Sequence, residues 1–181
     1  MDQELTNLIE KARSGDLEAF STLVSKYKGQ VFRHAFSIVN DRMEAEDIAQ
    51  EAFVKAYSSL SKLDNDFAFV SWLTKIVTNI CYDKLKKRQK IQRLHLKSRD
   101  RAEPISHTSS IDRTQLKLEI QEAMQKLSID QRIVLSLRDI QGYSYDEISK
   151  MLNIPLGTVK SRIHSARTAL RKEIFGGEKN E

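Results

Sequence analysis

Cysteine occurs once in this chain, tryptophan once, proline twice and glycine six times, and no long apolar run is present. Each scarcity excludes something. The single cysteine, Cys81, rules out a disulfide or a cysteine-based zinc cluster within one chain. It lies in the apolar stretch "KIVTNICYDK", where a buried small hydrophobe is the expected role. Few prolines and glycines leave little punctuation for a strand-and-turn fold, and strand-like alternation is hard to find. No basic, apolar-cored signal sequence opens the chain, and no apolar run approaches the roughly 18 residues of a membrane span. The expected location is therefore a reducing cytoplasm. What is abundant points the same way: 40% hydrophobic and 30% charged residues suit a folded, charge-rich, helical protein of 181 residues. A net charge of +5 permits a polyanionic partner without requiring one.

Apolar periodicity predicts an all-α chain of two small helical domains joined by a flexible basic linker. In the first domain, residues 1–92, Leu5, Leu8, Ile9 and Ala12 share one face before "SGD" breaks the pattern. Leu17, Phe20, Leu23, Val24 and Tyr27 are spaced as a buried stripe. Asp41 and Glu44 resemble a capping box, followed by a core stripe through Ala45, Ile48, Ala49, Ala52, Ala56 and Leu60. A second long helix carries Phe69, Trp72, Leu73, Ile76, Val77, Ile80 and Leu85. From Lys84 to Arg101 there are nine basic residues against Asp100 alone. Residues 93–111 then lose apolar periodicity and gather Ser, Pro and charge, which predicts the linker. The second domain, residues 112–181, reads as four helices, with capping boxes at Ser128/Gln131 and Ser144/Glu147 and a stop at Gly142.

Three stretches carry functional signals. Between Pro155 and Lys172 no acidic residue occurs, while Lys160, Arg162, His164, Arg167, Arg171 and Lys172 do. Val159, Ile163, Ala166, Leu170 and Ile174 form one narrow stripe of that helix, leaving Thr158, Lys160, Ser161, His164, Ser165 and Arg167 off it. The tight turn Asn153-Ile154-Pro155 before it fits a helix-turn-helix, whose second helix enters the major groove. In the helix opening at Asp41, the residues Met43, Asp47, Gln50, Glu51 and Val54 share the side opposite the core stripe. A solvated charged face is the ordinary explanation, and exposed Met43 and Val54 beside carboxylates also suit a partner patch. In the third stretch, Trp72, Asn79, Lys84, Lys87 and Arg88 offer stacking, hydrogen bonding and charge of the kind used on single-stranded DNA. Core packing is the ordinary role for Trp72 alone. No catalytic constellation is visible: His34, His95, His107 and His164 are far apart, and no glycine-rich phosphate loop or nucleophile elbow occurs. Neither enzyme activity nor a cofactor or metal is expected. On these residues alone, a helix-turn-helix regulator that never joins a larger machine remains an alternative.

The order "EAEDIAQEAFVKAY", "FVSWLTKIVTNICYDKLKKR", linker, "LSIDQRIVLSLRDIQGYSYDEISKMLNIPLGTVKSRIHSARTALRK" closely resembles the extracytoplasmic-function subfamily of bacterial RNA polymerase sigma factors. The resemblance runs from about residue 5 to residue 175 and leaves only the linker unmatched. It implies binding to core polymerase through Asp47, Gln50 and Glu51, flanked by Met43 and Val54. It implies recognition and melting of the minus-ten promoter element by the helix from Trp72 to Arg88 and the loop Lys62 to Asp66, with one base extruded and captured. Thr158, Lys160, Ser161, Arg162, His164, Ser165 and Arg167 fall in the stretch that reads the minus-thirty-five element. His164 and Ser165 depart from the aromatic and long basic residues often found there, and Ser71 stands where housekeeping members carry an aromatic wedge. Core RNA polymerase, promoter DNA and an anti-sigma protein, often membrane-anchored, are the partners this resemblance implies.

Overall fold

The computed structural model describes residues 3–63, 65–96 and 113–175. Among these residues there is no β-strand. The order is α1 (Gln3–Arg13), α2 (Leu17–Val39), α3 (Arg42–Ser59), two 3₁₀ turns (Leu60–Lys62 and Asp66–Ala68) and α4 (Phe69–Leu96), then α5 (Arg113–Lys126), α6 (Ile129–Leu135), α7 (Tyr145–Leu152) and α8 (Leu156–Phe175). A π-helical turn, Ser136–Ile140, continues α6. Of the expected linker, residues 93–96 form the end of α4 and the rest lies outside the described residues. The chain forms two compact units, Met1–Cys81 with Lys150–Asn153, and Tyr82–Ser149 with Ile154–Glu181, so the division falls inside α4.

In the first unit, the stretch "SGD" ends one helix and starts the next. Gly15, at φ +98°, takes the left-handed conformation that a side chain would oppose. Its N–H reaches the Ala12 carbonyl at 3.1 Å and the Asp16 N–H reaches Lys11 at 3.1 Å, the paired bonds of a Schellman cap. Asp16 then turns its carboxylate onto the Glu18 and Ala19 N–H groups at 2.9 and 3.0 Å, capping α2. The buried stripe of α2 runs through Leu23, Tyr27, Val31, Ala35 and Ile38. Leu17, expected on that stripe, is 67% exposed. It is the first residue of the helix. Asp41 caps α3 through the Glu44 N–H at 2.9 Å, and Ala45, Ile48, Ala52 and Ala56 turn inward as expected. Phe53 joins them in the core. In α4, Phe69, Leu73, Val77, Ile80 and Cys81 are buried, whereas Trp72 and Ile76 are half-buried.

A buried polar pair sits among these apolar residues. His34 is 2% exposed, and its Nε2 lies 2.9 Å from Thr78 Oγ1. The Thr78 hydroxyl donates to the Thr74 carbonyl at 2.8 Å, so its oxygen is left to accept and Nε2 carries the hydrogen. Burial pulls the His34 pKa from 6.5 to about 4, which keeps the ring neutral near pH 7.

In the second unit, both halves of the Ser128/Gln131 capping box are present at the start of α6. Arg132, one turn further on, is 5% exposed and donates to Gln125 Oε1 at 3.0 Å and to the Gln125 and Leu127 carbonyls at 3.0 and 3.3 Å. It thereby satisfies carbonyls that the end of α5 leaves without helical partners. The π-helical turn advances the side chains by one position and ends at Ile140, capped by Gln141, with Gly142 at φ +80° following. The second capping box is also present: Ser144 Oγ accepts from the Glu147 N–H at 3.2 Å, and Glu147 Oε2 accepts from the Ser144 N–H at 2.7 Å. Between α7 and α8 the chain turns over three residues. Asn153 adopts φ 53°, the Ile154 N–H bonds to the Ser149 carbonyl at 3.1 Å, and the Ser149 hydroxyl donates to the Ile154 carbonyl at 2.6 Å. The Pro155 carbonyl then accepts from Thr158 and Val159 and starts α8.

Candidate functional site

Three surfaces follow from this scaffold. On α3 the exposed residues Met43, Asp47, Gln50 and Val54 recur at spacings of four, three and four, so they form one stripe. Met43 is 78% exposed and Val54 66%. Two large apolar side chains on one exposed face leave apolar surface in water, of the kind that suits a protein partner. Glu51 borders the stripe and is held by Lys55 at 2.9 Å. Tyr57, three residues beyond Val54, extends it and meets the edge of Phe20 at 4.9 Å between ring centroids. The sequence reading missed Tyr57, although its i+3 spacing from Val54 was the available signal.

On α4 the proposed DNA-contacting side chains divide between faces. Trp72 and Asn79 share a stripe with Lys75, Tyr82 and Lys86, spaced at three and four residues. The Trp72 ring stands 6.0 Å from buried Phe69, and Lys86 lies over the Tyr82 ring at 5.2 Å. Lys84 and Arg88 point roughly 120–160° away from Trp72 around the axis, and Lys87 about 60°. Stacking groups and the Lys84/Arg88 charges are thus not brought together on one surface.

On α8 the apolar stripe Val159, Ile163 and Ala166 is buried, and Leu170 and Ile174 are half-buried. Lys160, Ser161, His164, Ser165, Thr168 and Arg171 form the exposed outer face. Thr158 is half-buried at its start. The two arginines that border the stripe behave differently from the outer residues. Arg162 lies 3.3 Å from Asp130 of α6, and Arg167 bonds Asp139 of the π-helical turn at 2.5 and 3.2 Å. The Asp139 bond also holds the Arg167 guanidinium above its ordinary pKa. Asp130 and Asp139 therefore brace α8 from either side, a role that sequence spacing did not reveal because the partners lie about 30 residues away.

Comparison with known proteins accords with this arrangement. Residues 23–91 match the family model for sigma-70 region 2, and residues 117–170 match sigma-70, region 4. The chain is 33% identical to the ECF RNA polymerase sigma factor SigW of Bacillus subtilis, over 96% of this chain and 98% of that one. It is 32% identical to the RNA polymerase sigma-H factor of Pseudomonas aeruginosa, over 92% of each. Among solved structures, CnrH in complex with the cytosolic domain of CnrY superposes with a TM-score of 0.68 at 26% identity, covering 97% of this chain and 99% of CnrH. The sigma factor RpoE in complex with the anti-sigma factor NepR from Bartonella quintana shares the fold, with a TM-score of 0.66 at 22% identity, covering 91% of this chain and all of that one. Region 2 and region 4 in one chain define a sigma-70-type factor, and this chain belongs to the ECF RNA polymerase sigma factor family. Among the described residues no helix is long and apolar enough to cross a membrane.

Proposed function

We propose that the chain is a dissociable specificity subunit of RNA polymerase, acting in the cytoplasm and performing no catalysis of its own. Residues 1–92 bind core polymerase through the α3 stripe and engage the minus-ten element through α4 and the loop from Lys62 to Asp66. Residues 93–111 connect the domains, and residues 112–181 seat the outer face of α8 in the major groove of the upstream element. Phosphates draw Lys160 and Arg171, while Ser161, His164 and Ser165 are placed to meet base edges. Arg162 and Arg167 act there chiefly as braces. An anti-sigma protein would cover the α3 stripe and silence the chain. RpoE of Bartonella quintana is in complex with the anti-sigma factor NepR.

The observation that carries this reading is the pairing of two surfaces in one chain. An apolar and acidic ridge on α3 suits a protein partner, and an acid-free outer face on α8 suits DNA. The test is run-off transcription from a promoter fragment with purified core polymerase, with and without the chain. Specific initiation that depends on the chain is the expected result. Tight, sequence-specific DNA binding by the free chain, with no association with polymerase, would instead define a stand-alone regulator.

A further inference from the structure

We propose that Arg13 is a positioning residue for the minus-ten loop, holding the connection between α3 and α4 in the shape that captures an extruded base. This rests on the minus-ten assignment above. The connection consists of two 3₁₀ turns, whose hydrogen-bond geometry is poorer than that of an α-helix and which need anchoring from outside. Leu60 and Leu63 are buried at one end, at 2% and 5% exposure, and Phe69 is buried at the other, at 1%. Between these anchors Lys62 and Asn65 are exposed. The polar part of the connection is therefore held by something other than its own apolar side chains.

Helix α1 supplies that hold. It packs against both 3₁₀ turns, and Arg13, its last residue, forms an ion pair with Asp66. Asp66 is largely removed from water, with 13% of its side chain exposed, whereas Arg13 keeps 33%. A partly desolvated carboxylate that loses its counter-charge moves towards solvent rather than stay buried unpaired. The Schellman cap at Gly15 and Asp16 fixes the backbone directly after Arg13, the last residue of α1. Base extrusion costs a few kcal/mol, and a loop that must first order itself adds to that cost. A loop already fixed by Arg13 avoids the addition.

The experiment compares Arg13→Gln, Arg13→Lys and Asp66→Asn with the parent chain, using core polymerase on a duplex promoter and on the same promoter pre-melted across the minus-ten element. Arg13→Gln and Asp66→Asn should lower initiation on the duplex by about tenfold, as expected when one charge-assisted contact to a capture loop is lost. The pre-melted template should lose much less, polymerase affinity should not change, and Arg13→Lys should recover most of the activity. Permanganate reactivity of minus-ten thymines should fall in step with the duplex defect. Equal losses on both templates, or no loss on either, would overturn the positioning role while leaving the proposed function standing. Failure of the parent chain to direct any initiation would overturn both.

Discussion

His34 illustrates how one side chain ties the core to solution conditions. Its ring is buried and neutral, bonded to Thr78, with a pKa of about 4 against 6.5 for an exposed histidine. Below pH 6.5 the unfolded chain takes up a proton at this position that the folded chain refuses. The contribution is therefore complete above pH 6.5 and is lost as pH falls through the window towards 4, by up to about 3 kcal/mol. Urea unfolding at pH 7.5 and pH 4.5 should show this loss. His34→Gln, which keeps a hydrogen-bonding group without a titration, should show a smaller difference between the two pH values. An identical pH dependence in parent and variant would mean that carboxylates, not His34, set the acid limit. Other residues act more locally. Arg132 closes the end of α5 with three bonds, and Gly15 permits the turn that sets Arg13 in place.

At the scale of the element, α8 carries two kinds of cation. Lys160 and Arg171 stand on the exposed face, while Arg162 and Arg167 are engaged by Asp130 and Asp139. The Arg167–Asp139 pair is nearly half exposed, so its worth to stability is small, below about 1 kcal/mol. On the proposed function its effect on DNA binding is larger, because it neutralises a cation that borders the face proposed to meet DNA. Asp139→Asn should free Arg167 for a phosphate and steepen the dependence of log affinity on log salt by about 0.9, the slope of one added contact. A salt titration of binding to a non-specific duplex measures this, and thermal melting should barely change. An unaltered slope would place Arg167 out of reach of the backbone. The helix was legible in sequence as an amphipathic segment with no acid between Pro155 and Lys172, but its braces were not. Acids on α6 and the π-helical turn lie on other elements, and no spacing rule within α8 points to them.

Across the whole molecule, the two surfaces make separable demands. Glu51→Lys reverses a charge beside the α3 stripe and puts two lysines at i, i+4, costing only a few tenths of a kcal/mol of helix stability. Polymerase affinity should nevertheless fall about tenfold or more, since like charges at an interface oppose docking. Lys160→Ala should leave polymerase affinity unchanged and weaken use of the upstream element by roughly threefold to tenfold, as the loss of a phosphate contact does. The double variant should lose the product of the two factors, because distant and independent sites add in free energy. Binding to core polymerase and run-off yield report the two effects separately. A Lys160→Ala variant that fails to bind polymerase would undo the division of labour.

Periodicity and capping chemistry are local properties, and for that reason the sequence by itself determined the helices, the helix-turn-helix and the outward-facing residues of α3. Asp41, Ser128 and Ser144 each cap the helix they were expected to cap, since a cap needs only neighbours within three residues. The tertiary structure alone decided which residues meet across elements. It brought His34 to Thr78, Arg13 to Asp66 and Arg167 to Asp139. Those outcomes depend on how helices pack and where each turn leaves off, which burial of apolar surface selects and no run of adjacent residues encodes.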